Sequence, residues 1–466
     1  MKGKYLVILL LLLALGIMVQ QMIRFSERRA QTENVGSAAD AEEEEEPFVF
    51  MSKEELAKLY PEVDYLSMTS GDYFKVLRQE VVDGKQVYLW HTIYLKGVNL
   101  GVAMPGHFPV EFSLSFEDYL EWFIQIGAMN ANVIRTYTIL PPEFYNAFAY
   151  YNLHHQNRPL YLFQGIWAEE PETRNYFSPE FIQGFQKEIR KTVDVINGSA
   201  VLKPQVGHAS GIYTTDISNY VLGYLLGREW EPHAVYVTNQ ENKNSSFNGN
   251  FIAVHEATPM EAWLGQMMDY TIQYETQTYL CQHPVSFINW LTLDPMYHNS
   301  EFIENNKIKE YDNDLLALDF RKFHATELFD PGIFAAYHVY PYYPDYVFLE
   351  EKYQNRINYK GNKDNFLAYL EDLKSNIGSM PLVIAEYGLP SSRGASHYTP
   401  FGLNQGGYNE IEQATYSADL TYDIWQSNCA GGIFFEWIDE WFKHNWLVMD
   451  FEQPAERRVF WHNMEN

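Results

Sequence analysis

The chain has 466 residues, with 33 basic against 61 acidic side chains and a formal net charge of −28. A charge this negative excludes nucleic-acid binding as the main function, because that needs a basic footprint to neutralise phosphates. Cys281 and Cys429 are the only cysteines, which excludes a disulfide scaffold and, without a Cys/His cluster, a structural zinc site. Apolar residues make up 46% and aromatic ones 16%. That suffices for a sizeable core and leaves rings for a surface of the kind sugars use.

The apolar run Tyr5–Val19 follows Lys2 and Lys4. It has the length of a secretory h-region, and extension through Ile23 makes a marginal span. The Ala39-Asp40-Ala41 match lies too far from the run for an ordinary cleavage site. Residues 1–24 are therefore read as an uncleaved signal anchor, with a cleaved signal peptide as the alternative. Arg24, Arg28 and Arg29 on the second flank leave orientation undecided by positive charge. Residues 25–47 end in the run Glu42–Glu46, whose like charges repel, and they read as a disordered acidic linker. The expectation is a single-pass membrane protein with an extracytoplasmic domain, or a secreted one if the segment is cleaved.

Residues 48–90 read as a short lead-in, with Asp83-Gly84 as a hairpin turn between apolar flanks. Beyond it, eight short apolar runs read as strands buried on both faces: Ile93–Asn99, Asn132–Tyr137, Leu160–Ile166, Val221–Leu226, Val285–Trp290, Phe334–Val339, Leu382–Ala385 and Gly432–Phe435. Helices alternate with them. Ser115 with Asp118, Ser178-Pro179 and Thr258-Pro259 are start signals, and Gly127, Asn197-Gly198 and Gly378 are stops. In the first helix Phe116, Tyr119, Leu120, Phe123 and Ile124 share one face. The pattern predicts an α/β fold over 91–466, a (β/α)8 TIM barrel with long βα loops. An open doubly wound sheet is the competitor, disfavoured because Gly101–Gly106 lacks the dinucleotide spacing. Cys281 and Cys429 precede strands three apart and are predicted to be free thiols.

Functional side chains of such barrels project from the C-terminal ends of strands. The fourth strand runs into Gly227-Arg228-Glu229-Trp230-Glu231-Pro232, and the seventh into Glu386-Tyr387-Gly388. Two carboxylates facing one another across a barrel mouth are what cleavage of a glycosidic bond requires.

The pattern resembles the clan A glycoside hydrolases, most of all the barrel domain of family 2. The residues that carry it are Leu95–Asn99, Asn132–Arg135, Gly227-Arg228-Glu229, His338-Val339-Tyr340, Ala385-Glu386-Tyr387-Gly388 and Phe435-Glu436-Trp437. The resemblance covers roughly Thr92 to Asn445. It implies that Glu229 is the general acid/base and Glu386 the nucleophile. It implies further that Arg135 keeps Glu386 ionised, that Tyr340 bonds the nucleophile or the sugar with His338 on the same side, and that Trp437 is the stacking floor. No metal or organic cofactor is required.

The chain departs from that pattern in two places. Arg228 stands where most members have an Asn that contacts the sugar 2-OH, which hints at an altered or anionic substrate. Only the short lead-in precedes the barrel, where family 2 enzymes usually carry β-sandwich domains. Glu231 is the alternative acid/base, since positions 229 and 231 of a strand point to one side. Glu169, Glu170, Asp294, Glu436, Asp439 and Glu440 are further candidates for sugar hydroxyls, and Trp290, Trp441, Trp446 and the Tyr340–Pro344 stretch for stacking. The reading is a retaining β-glycosidase acting on a polysaccharide or oligosaccharide, by hydrolysis or with transglycosylation. The rival is a catalytically inactive carbohydrate-binding barrel in an envelope polysaccharide assembly.

Overall fold

The computed structural model describes residues 48–440, apart from 102, 105, 299–315, 393 and 401. Eight parallel strands close into a barrel: Leu95–Asn99, Val133–Thr136, Tyr161–Ile166, Val221–Leu226, Val285–Trp290, Ala335–His338, Leu382–Tyr387 and Gly431–Phe434. Each overlaps a predicted run, though Ile93 ends the lead-in sheet instead and the seventh strand runs on through Glu386 to Tyr387. The strands are buried on both faces, which is why they read as continuous apolar stretches rather than alternating ones. Closure is made where Gly431 pairs with Leu95 and Phe434 with Val98. Gly431 sits at φ 146°, and a Cβ there would lie 2.1 Å from the Leu95 carbonyl oxygen, so the seam requires glycine.

The lumen is filled by Leu95, Val133, Phe163, Leu225, Ile288, Ala336, Val383 and Ile433, together with Phe74 and Val76 from the lead-in. The lead-in forms a three-stranded antiparallel sheet, Ser67–Ser70, Tyr73–Val82 and Lys85–Ile93. Val82 pairs with Lys85, and Asp83 and Gly84 both take positive φ, as a two-residue hairpin turn demands. Phe74 is fully buried between Phe163 and Phe334, at centroid distances of 5.6 and 5.0 Å. Ser67 Oγ donates to the carbonyl of Val221, and Arg78 Nε to the Tyr161 hydroxyl. These partners lie at strand starts, so the lead-in is a plug for the N-terminal mouth of the barrel.

The outer layer follows the cap signals. Ser115 and Thr258 form full capping boxes, Pro179 opens the helix Pro179–Ile196, and Asn197 and Gly378 cap helix ends. Two details differ. The first helix runs past Gly127 to Ala128. Its buried face is Tyr119, Trp122, Phe123 and Ile126, whereas Ile124 is 43% exposed. Trp122 precedes Phe123 by one residue and Ile126 follows it by three, so the buried stripe turns away from Ile124 and leaves it toward solvent. Cys281 and Cys429 are free. The expected anchor 1–24 and linker 25–47, and also Trp441 and Trp446, lie outside the described residues. Among the described residues no helix is long and apolar enough to cross a membrane.

Candidate active site

The C-terminal mouth opens into a cavity of about 630 Å³ lined by Glu229, His338, Tyr340, Glu386 and Trp437, with Trp290, Tyr342 and Glu436 on its walls. Five of the predicted site residues thus meet in one place.

Glu386, on the seventh strand, is held from three directions. Arg135 Nη1 donates to its Oε1 at 3.2 Å, the Tyr137 hydroxyl donates to the same oxygen at 2.7 Å, and the Tyr340 hydroxyl donates to Oε2 at 2.9 Å. Its side chain is 9% exposed. Burial pushes both phenols well above their ordinary range, and the Glu386 charge pushes them further, so they stay protonated donors. Arg135 is itself buried, and its guanidinium lies 4.3 Å from the Tyr137 ring centroid. A buried guanidinium needs a counter-charge, and Glu386 supplies it. Asn99 fixes Arg135. Its Oδ1 accepts from Nη1 at 3.1 Å while its Nδ2 donates to the Ala385 carbonyl at 2.9 Å.

Glu229, at the end of the fourth strand, is different. Its side chain is 40% exposed and meets His338, whose Nδ1 lies 2.9 Å from Oε1. The other ring nitrogen, Nε2, is 3.0 Å from Arg135 Nη1 and 3.3 Å from Glu386 Oε1. Arginine nitrogens only donate, so Nε2 accepts from Arg135 and the ring proton sits on Nδ1, donated to Glu229. The contact of Nε2 with Glu386 is then one between two acceptors that share Nη1. One imidazole therefore spans the two carboxylates, whose nearest oxygens lie within 4.8 Å of each other.

Glu229 and Glu231 sit in different settings. Glu231 is the N-cap of Pro232–Glu241, its carboxylate accepting from His233 N and Ala234 N. Arg228 is not a lining residue of the cavity; its guanidinium lies 5.3 Å from the Trp167 ring centroid. Trp437 lines the cavity after the cis Phe435–Glu436 peptide, with its N–H on the Asn99 carbonyl at 3.0 Å. Asp294 is buried and accepts from the hydroxyls of Tyr346 and Tyr369 and from His298, which makes it a structural carboxylate rather than a sugar contact. Glu169 and Glu170 are exposed, and Glu436, Asp439 and Glu440 line the cavity. Two residues of this hydrogen-bonded cluster were not among those predicted, Tyr137 and Asn99. Tyr137 follows Arg135 by two positions, the strand period that sends both to one side.

Two groups bring metal-type ligands together among the described residues, Glu229–His338–Glu386 and Glu275–Cys281–His283. Neither suits a cation. In the first, His338 Nε2 is engaged by Arg135, whose charge repels a metal. In the second, His283 faces Glu275 Oε1 at 2.7 Å and the Ser218 carbonyl at 2.9 Å. Both of its nitrogens donate there, which leaves no lone pair for a metal.

No protein-family model matches the chain, and no curated protein sequence matches it. Solved structures similar to it include a β-glucuronidase from Bacteroides uniformis, at 12% identity and TM-score 0.40, covering 79% of this chain and 33% of that one. A family 2 β-galacturonidase from Eisenbergiella tayi has 14% identity and TM-score 0.42, covering 79% and 49%. A family 5 mannosidase from Rhizomucor miehei has 10% identity and TM-score 0.41, covering 79% and 85%. The chain thus spans a third to a half of the length of the first two. In its closed eight-stranded parallel barrel the chain is similar to glycosidases of families 2 and 5.

Proposed function

We propose that the chain is a retaining β-glycosidase acting on a polysaccharide or oligosaccharide, with its barrel tethered outside the cell membrane. The observation that carries this reading is the unequal pair of carboxylates. Glu386 is buried beneath a cation and two phenols, while Glu229 lies open to the cavity across His338. A nearby cation and O–H donors favour the ionised carboxylate, which suits Glu386 as nucleophile. Glu229 has Oε1 occupied by His338, so its proton would ride on Oε2.

In the first step a Glu386 oxygen bonds to the anomeric carbon as the glycosidic C–O bond breaks, and the proton of Glu229 goes to the departing oxygen. In the second, Glu229 takes a proton from water, whose oxygen displaces Glu386 from carbon. An acceptor sugar in place of water gives transglycosylation. Retention needs carboxyls about 5–5.5 Å apart and inversion about 6.5–9.5 Å. Carboxylate oxygens within 4.8 Å of each other favour the former. Trp437, Trp290 and the stacked Tyr340–Tyr342 pair offer ring faces to a sugar.

A second reading, the non-catalytic carbohydrate-binding barrel, has one observation in its favour, the arginine before Glu229 that faces Trp167. The test is incubation of the full chain with β-linked polysaccharides, products followed by mass, beside Glu386→Gln. Products that vanish in the variant are expected. Equal binding of one polysaccharide to both proteins, with nothing cleaved, would sink the enzyme reading.

A further inference from the structure

The outer part of the lead-in hairpin carries an aromatic face that the plug does not use, uncharged until Lys75 at its barrel end. Its register places Leu77 opposite Trp90, Gln79 opposite Tyr88 and Val81 opposite Gln86. These six side chains share one face, because paired residues point the same way and alternate along the strand. None is charged, in a chain with net charge −28. Val81 is 71% exposed, Tyr88 65% and Trp90 38%. Tyr65 extends the patch by stacking on Trp90 at 5.8 Å. The opposite face mixes Arg78, Glu80 and Lys85 with the exposed Val82 and Leu89, and its inner end enters the lumen through Phe74 and Val76.

The occupant is argued from where the chain comes from. Met51 N–H donates to Gln277 and the Met51 carbonyl accepts from Gln273, near the end of the helix Pro259–Tyr279 that leads into the strand from Val285. The described chain therefore enters at the N-terminal mouth, the hairpin's own end. Before it stand the apolar run Tyr5–Val19 and the linker 25–47. Tyr and Trp beside apolar side chains suit the headgroup layer of a bilayer. The strand Lys85–Ile93 is a sheet edge with one partner strand, so its open N–H and C=O groups hold the hairpin at headgroup depth and keep it out of hydrocarbon.

We infer that the face Leu77–Val81–Tyr88–Trp90 docks on the headgroup layer of the bilayer that the N-terminal segment enters, with the cavity turned away from it. This rests on the tether and is independent of the glycosidase chemistry. The test places the full chain in dioleoylphosphatidylcholine nanodiscs, with an environment-sensitive fluorophore on Tyr88→Cys, or on Gln86→Cys as a second site on that face. Wild type is the labelling blank, and Tyr398→Cys, 73% exposed beyond the seventh strand, is the control. Docking predicts a blue shift and quenching by doxyl-labelled lipid at 88 and 86, and neither at 398. Water-like, unquenched emission at 88 and 86 from protein seated in nanodiscs overturns the docking. A blue shift in detergent that grows with protein concentration assigns the face to a second copy and also overturns it. A chain that does not enter nanodiscs overturns tether and docking together.

Discussion

The two phenols on Glu386 permit a quantitative test. Tyr137→Phe removes a donor 2.7 Å from Oε1, and Tyr340→Phe one 2.9 Å from Oε2, with little change in ring volume. A hydrogen bond to a charged group contributes about 1.5–3 kcal/mol. The loss falls on the ionised carboxylate, since the protonated form needs these donors less. Protonation of Glu386 thus becomes easier by the same amount, and at 1.36 kcal/mol per unit the acidic limb of kcat/KM should move up by roughly one to two pH units. The second step is slowed as well, because Glu386 then leaves as a less stabilised anion. The two changes act on one carboxylate and should not add in the double variant. The assay is the pH dependence of initial rates on a substrate that wild type cleaves, with folding checked by circular dichroism. An acidic limb that stays in place in both folded single variants would refute the argument that the phenols hold Glu386 ionised.

Further expectations concern Glu231, Asp423 and Phe74. Glu231→Ala should cost about 1 kcal/mol of stability through its helix cap and leave cleavage near wild type; a loss matching that of Glu229→Gln would reverse the acid/base assignment. Burial, with Asp364 beside it, pushes the Asp423 carboxyl up to about 8. The folded state therefore holds this proton more tightly than the unfolded chain, and stability falls as pH rises from about 4 through 8. Asp423→Asn should raise the melting temperature at pH 9 and leave it nearly unchanged at pH 4; an equal gain at both would contradict this. Phe74→Ala empties the plug and should cost about 3–5 kcal/mol, read as a lower urea midpoint. An unchanged midpoint would mean that the lumen does not depend on the lead-in.

The eight strands were legible because a strand buried on both faces must be apolar throughout, and Gly and polar residues bound each run. Glu229 and Glu386 stood out for the same reason, as carboxylates closing apolar runs, although Glu386 lies inside its strand. Arg228 was read, as a departure from the motif, for a substrate contact, yet its side chain turns toward Trp167, and no local signal fixes a long side chain's direction. Tyr137 needed only the strand period counted one step beyond Arg135. The role of Phe74 was not readable, since its partners Phe163 and Phe334 are remote in sequence and a lumen is made only by closure.

The plug bears on how the molecule is made. Phe74 leaves the ribosome early, while Phe334 and the seam strand Gly431–Phe434 emerge far later. Until then the ring has no complete seat, and the first strand, Leu95–Asn99, lacks its closing neighbour. Such early apolar segments are open to misassociation during synthesis. Folding of the finished chain, rather than during synthesis, would let both halves of the seam arrive together.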